Sequence, residues 1–408
     1  MYSVVRKVSD SLESKPIPTP PQTLLPAFDH QDNQFKSAFS ILNEAINQRV
    51  FPAASIAVTH MGKLVALKSA GTFVYKANKK GAPLLADVAR SGDFGVSIAT
   101  LFDLASLTKP IATTTMAMIL YDRGLLELDA PIAGTLPEFL QGSSDDSRRH
   151  EVTFRMLLAH SSGLPAYEKL FLKAHSGDAL LQAAFTTALS TDPGTHAEYS
   201  DIGFILLGVA LERLAEESLD LFCQREIFGS LGMTSTTFNP PAELRAKIPP
   251  TADERAHAHS HSTFRYRIIQ GEVQDENAFV LGGVAGHAGL FATAEDVARF
   301  AHAILTRSPI VRPETIALFT QRESSPPDTT RTLGWDTPSN ASQSGKHFGP
   351  NSFGHLGYTG TSLWIDPDRQ LSIILLTNRT WPDCTNHAIK SIRPKFHDAI
   401  IEAIPLSS

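Results

Sequence analysis

Cysteine is nearly absent. Cys223 and Cys384 are the only two in 408 residues, too few for a disulfide framework and without the paired spacing of a zinc site. That usage fits a reducing compartment, and a cytoplasmic location is expected. An excess of one charge is lacking too. With 36 Lys+Arg against 42 Asp+Glu the formal net charge is −6, which leaves no field to draw in phosphate backbones or an anionic membrane. Nucleic acid is not expected as a partner. Long apolar runs are missing: the most apolar stretch, Phe204 to Leu211, falls far short of the roughly 20 residues that cross a bilayer. Met1 to Pro26 carries charges and prolines but no apolar signal segment, so neither a membrane span nor a secretory signal is expected. No Gly-x-Ser-x-Gly elbow opening a helix and no phosphate-binding Gly-Lys-Ser/Thr motif occurs, which argues against α/β-hydrolase and nucleotide chemistry.

What is present is enough apolar material, 42% of residues, for one large core or two smaller ones. Pro16, Pro18, Pro20, Pro21 and Pro26 mark residues 1–30 as an extended arm. Phe35, Phe39, Leu42 and Ile46 predict an amphipathic helix over Asn33–Asn47, followed by a hairpin of Ser55–His60 and Lys63–Lys68. Leu104 to Gly124 is apolar on nearly every face and reads as one buried helix. Helices and long loops then dominate to Ala292, including Phe204–Ala215 and Leu219–Ile227. After a helix at Ala294–Leu305, strand character returns at Tyr358–Ile365 and Gln370–Thr377, and a last helix spans Thr385 to Ile404. The expected organisation is one α/β domain built from 31–124 and 290–408, with a helical domain at 125–289 inserted into it. A ligand site is expected in the cleft between them.

Ser106-Leu-Thr-Lys109 places a hydroxyl and an amine one helical turn apart on the same face. A buried lysine loses its proton readily and is then able to take one from serine. Tyr199-Ser-Asp201 stands before the helix at Gly203–Ala215, where a tyrosine is able to join the lysine as a proton shuttle. His355-Leu-Gly357 opens a glycine-rich segment leading into a strand, which lets backbone approach a ligand. His257, His259 and His261 alternate, but without paired Cys or a helical His spacing they read as a solvated loop. No metal or cofactor is expected.

Together these motifs resemble the serine β-lactamase and penicillin-binding family, on the side of class C β-lactamases and their esterase and peptidase relatives. Leu101-Phe-Asp-Leu-Ala-Ser-Leu-Thr-Lys-Pro110, Leu157-Leu-Ala-His-Ser-Ser-Gly-Leu-Pro165, Glu198-Tyr-Ser-Asp-Ile-Gly-Phe204 and Gly289-Leu-Phe-Ala-Thr-Ala-Glu-Asp296 carry the likeness, which runs from about Phe39 to Ile404. The resemblance implies an α/β (α+β) fold: an antiparallel sheet flanked by helices, with an inserted all-helical domain. It also implies Ser106 as acylated nucleophile, Lys109 and Tyr199 as base and acid, and an oxyanion hole of the Ser106 and Tyr358 backbone N–H groups. Two departures bear on substrate. His355-Leu-Gly stands where β-lactamases carry Lys-Thr-Gly, replacing a permanent cation with a ring mostly neutral at pH 7. Asp201 stands where an asparagine is usual, an acceptor only, able to hold Lys109 charged or to meet a cationic group of the substrate. Asp275 to Gly289 resembles a branch of the family with cytoplasmic amidases of peptidoglycan recycling, and its glycines bring His287 toward the cleft. The expected substrate is a small molecule or peptide with an amide or ester bond, D-configured or muramyl-linked. A short-chain carboxylesterase, or a penicillin-binding sensor that is acylated without turnover, are the alternatives, and oligomeric state is left open.

Overall fold

Leu371–Thr377 is apolar toward both faces, the pattern of a strand covered on two sides. The computed structural model describes residues 23–75, 95–142, 146–255, 264–306, 309–339 and 342–405. Its principal strands are β1 (Leu25–Pro26), β2 (Ala53–His60), β3 (Lys63–Gly71), β4 (Phe102–Asp103), β5 (Thr237–Phe238), β6 (Leu290–Ala292), β7 (Phe353–Leu356), β8 (Ser362–Asp366) and β9 (Leu371–Thr377). The larger sheet runs β1-β3-β2-β9-β8-β7 and the smaller β4-β6-β5. Every pairing in them is antiparallel except the short β1–β3 contact.

Four helices position the rest: α1 (Lys36–Asn47), α2 (Asp201–Ala215), α3 (Ala294–Leu305) and α4 (Ile389–Glu402). Because side chains alternate across a strand, Ile374 and Leu376 of β9 join a core containing Phe300 of α3, while Ile373 and Leu375 join a second core with Phe39 of α1 and Phe396 of α4. The sheet is thus covered on both faces, and its mixed helix-and-antiparallel architecture agrees with the expected fold class.

The local differences have physical causes. The helix expected from Leu104 to Gly124 is composite: a 3₁₀ turn at Ala105–Leu107, a wide π turn at Lys109–Thr114 and an α-helix at Thr115–Asp122. Pro110 has no N–H for a regular ladder and its ring crowds the preceding turn, which favours such a departure near the start. Of the strand expected at Tyr358–Ile365 only the part from Ser362 is strand, within β8; β7 ends before it, and the two pair with Leu356 opposite Ser362. Tyr358 therefore sits in the connecting turn, where Gly360 adopts φ +100 and a Cβ would strike the Thr377 and Arg379 side chains. The last helix starts at Ile389, later than expected, because Asp383 and Asn386 side chains accept the N–H groups of Thr385 and Ala388 at 2.9 Å each and hold the chain in turns. Of the proline-rich arm, residues 1–22 lie outside the described residues, as do His257, His259 and His261. No described helix is long and apolar enough to cross a membrane.

Candidate active site

The site begins with an awkward turn. Ala105 has φ +48, in the left-handed region, and is held there by Asp103, whose Oδ1 accepts the Ala105 N–H at 2.8 Å. Asp103 Oδ2 accepts the Gln274 N–H at 2.7 Å, tying this turn to the loop before Asp275. Burial pushes the Asp103 carboxyl up to about 6 against the pull of these two N–H groups. The turn also leans on the β7–β8 connection: Thr359 Oγ1 donates to Asp103 O at 2.7 Å and Thr361 Oγ1 to Leu104 O at 2.9 Å.

Ser106 emerges from this brace. Lys109, fully buried one turn on, lies with Nζ 3.1 Å from Ser106 Oγ, 2.6 Å from Tyr199 Oη, 2.6 Å from Asp201 Oδ1 and 3.2 Å from His287 O. An ammonium has three hydrogens, so these four acceptors share them. Tyr199 Oη donates to Ser106 Oγ at 2.8 Å, closing a triangle of serine, lysine and tyrosine. Asp201 is the first residue of α2, which Ser200 caps by accepting the Gly203 N–H at 3.0 Å.

The lysine differs from the expectation of a readily lost proton. Burial alone would lower it, but the Asp201 carboxylate and Tyr199 reverse the sign, and Lys109 is held above its ordinary value. Burial raises the Tyr199 phenol, only partly opposed by Lys109. At rest the cluster is an ammonium, a carboxylate and a neutral phenol.

His355 lies on β7 with Nδ1 2.9 Å from Leu356 O. A carbonyl only accepts, so Nδ1 carries the proton. Burial, then the charges of Lys109 and Arg331, push this ring well below its usual value, and it is neutral. His287 faces Asp275, Nε2 to Oδ1 at 2.8 Å, so its ring is engaged with a carboxylate and its main-chain oxygen meets Lys109. Burial raises Asp275, but His287 and the Ala278 N–H bring it below the ordinary carboxylate value. A cleft of about 630 Å³ is lined by Ser106, Tyr199, Asp201, His287, His355, Gly357 and Tyr358, with Lys109 buried beside Ser106. No group of described residues is arranged to hold a metal ion.

Several contributors are not singled out by the sequence. His160, itself at φ +58, accepts the Ser200 N–H through Nδ1 at 3.0 Å, and its ring stands 4.6 Å from that of Tyr199. It sits inside the Leu157–Pro165 motif, the one signal that points to it. Arg331 lies over the other side of the pocket, 5.5 Å from the Tyr199 ring. Asp103, Asp275 and Arg393 also belong here.

The family model described as Beta-lactamase matches residues 38–390. An "N-acetylmuramyl-L-alanine amidase" of Bacillus subtilis (strain 168) is 31% identical over 353 residues, 81% of this chain and 77% of that protein. A protein of Escherichia coli (strain K12) named "Putative D-alanyl-D-alanine carboxypeptidase" is 34% identical over 304 residues, 69% of each chain. Among solved structures, EstCE1, titled a hydrolase with promiscuous acyltransferase activity, superposes with a TM-score of 0.72 at 20% identity over 91% of this chain and 99% of that one. A class C beta lactamase from Rhodobacter sphaeroides gives a TM-score of 0.63 at 20% identity, over 90% and 99%. The match across most of its length, with relatives named amidase and carboxypeptidase on the same framework, places this chain in the Beta-lactamase family and makes it a hydrolase.

Proposed function

We propose that the protein is a serine hydrolase that forms an acyl-enzyme on Ser106 and cleaves an amide bond in a peptidoglycan-derived or D-amino-acid-containing substrate. The observation that carries this reading is the triangle of Ser106, Lys109 and Tyr199, with all three polar atoms within 2.6 to 3.1 Å of one another. The amidase and carboxypeptidase names of the relatives support the substrate class.

As Oγ bonds the substrate carbonyl carbon, Lys109 passes one ammonium proton to Asp201 and takes the Ser106 Oγ proton in its place. The backbone N–H groups of Ser106 and Tyr358 receive the negative carbonyl oxygen. When the C–N bond breaks, the cluster returns the proton to the departing amine through Tyr199 or Lys109. Water then repeats the sequence: one of its protons enters the cluster, its oxygen attacks the ester carbon, and Ser106 regains its hydrogen. The neutral His355 stands where β-lactamases carry the lysine of Lys-Thr-Gly, so efficient penicillin hydrolysis is not expected.

Ser106→Ala abolishes turnover of a muramyl peptide and of a short nitrophenyl ester, and also abolishes labelling by a fluorophosphonate, read by intact mass. A label remaining on the variant refutes the assignment. Steady turnover after a burst on the muramyl peptide marks the amidase, and turnover of esters alone marks a carboxylesterase.

A further inference from the structure

A buried cation without a counter-charge is costly, and Arg393 of α4 is one. It lines the cleft and is only 4% exposed, yet no carboxylate among the described residues pairs with it. Nη1 donates to Gln343 Oε1 at 2.7 Å, Nη2 donates to Gly357 O and Thr361 O at 3.0 Å each, and Nε is buried without a partner. Neighbouring Arg379 adds a like charge. It too is bonded to main-chain carbonyls, those of Tyr358 at 2.8 Å and Cys384 at 3.1 Å. Burial and then Arg379 lower Arg393 to about 9, so the fold carries an electrostatic cost here.

The turn does not need the arginine to close. Gly360 N–H already donates to Gly357 O at 3.0 Å, and Gly357 N–H to Thr361 O at 2.8 Å. What the guanidinium adds is a second, charged donor on one particular carbonyl. Gly357 C=O and Tyr358 N–H are the two ends of a single trans peptide and point in opposite directions. Arg393 grips the oxygen, while the Tyr358 N–H has no acceptor among the described residues. A charge-assisted bond to the oxygen polarises the peptide and makes its N–H a stronger donor.

We propose that Arg393 is a positioning residue for the oxyanion hole, acting through the Gly357–Tyr358 peptide to strengthen the Tyr358 N–H toward the substrate oxygen. Its unbalanced charge is then best met when that oxygen becomes negative, which favours the transition state over bound substrate. This rests on the acyl-enzyme reading above.

The test uses Arg393→Met, which removes cation and donor, and Arg393→Gln, which keeps a neutral donor. Both are assayed on a short nitrophenyl ester, and difference infrared spectra are taken of the acyl-enzyme with a ¹³C-labelled carbonyl. Arg393→Met is expected to melt no lower than the parent, to lose about tenfold in kcat with KM little changed, and to move the acyl carbonyl stretch to higher frequency. Arg393→Gln falls between. A purely structural role would not move that frequency in a folded variant. The proposal is overturned by a folded Arg393→Met with the parent's frequency and kcat, and equally if neither variant folds, since the arginine is then a brace. Failure of the acyl-enzyme reading is separate: the parent itself would show no adduct on Ser106.

Discussion

Asp103 offers a quantitative test of how the nucleophile is held. The perturbation is Asp103→Asn. Burial raises the Asp103 carboxyl from an ordinary 3.8 to about 6, so ionising it at neutral pH costs the folded chain about 3 kcal/mol relative to the unfolded one. The sign follows from proton binding. Between pH of about 4 and 6 the folded chain holds the Asp103 proton and the unfolded chain does not, so this group's contribution to stability falls as pH rises through that window. The variant's amide does not titrate. It keeps an acceptor for the Ala105 N–H but turns an amide donor on the Gln274 N–H, a mismatch worth about 1–3 kcal/mol. The stability of the variant minus that of the parent should therefore climb by about 3 kcal/mol between pH of about 4 and 7, ending at about 0 to 2 kcal/mol. Urea unfolding of both proteins across that range measures it. kcat of the variant should fall even where stability matches, because the link between Ala105 and the Asp275 loop is broken. A stability difference that does not change with pH refutes the reasoning.

The Lys109→Arg variant should be nearly as inactive as Lys109→Ala, since a guanidinium keeps its proton; more than about a tenth of parental kcat/KM would show that another group takes the serine proton. Asp201→Asn removes the largest influence holding Lys109 up, so the acidic limb of the kcat/KM profile should move to lower pH, and an unmoved limb contradicts the coupling. His355→Lys buries an amine where burial first, and then the field of Lys109 and Arg331, already suppress the charge on the imidazole. It should lower Tm and leave the cephalosporin-to-ester ratio of kcat/KM within about threefold of the parent, less than a point charge a few Å from a carboxylate gives in a screened cleft; a larger gain shows that the added cation faces substrate.

Much of this is legible in the sequence because the signals are local. Ser106 and Lys109 are read from one helical turn, and Thr293 marks the start of Ala294–Leu305 so clearly that the observed helix has the expected ends. Tyr199, Asp201, His287 and His355 stand in recognisable motifs, and the cleft gathers them. Other parts depend on contacts that no local pattern encodes. Asp103 acts on Gln274, 171 positions away, and His160 acts on Ser200 across 40. Of the two readings of Lys109 open from sequence, a proton readily lost through burial or a charge held by Asp201, the second holds, because that carboxylate outweighs burial. The turn at Tyr358 reads as strand because Thr359, Thr361 and Ser362 have strand-like composition, while the deciding term is the positive φ of Gly360.

The neighbour relation of β2 and β9 sets the timetable of biosynthesis. Ala54 pairs with Thr377 and His60 with Leu371, so a strand made early on the ribosome waits for more than three hundred further residues before its partner exists. Until then the β2–β3 hairpin, with α1 against one face, keeps an open edge on β2 that is a template for other nascent chains. A stalled or truncated product ending before β9 should therefore aggregate rather than accumulate as an inactive domain. Recovery of hydrolytic activity on refolding should report the last long-range pairing, not the earlier formation of helices.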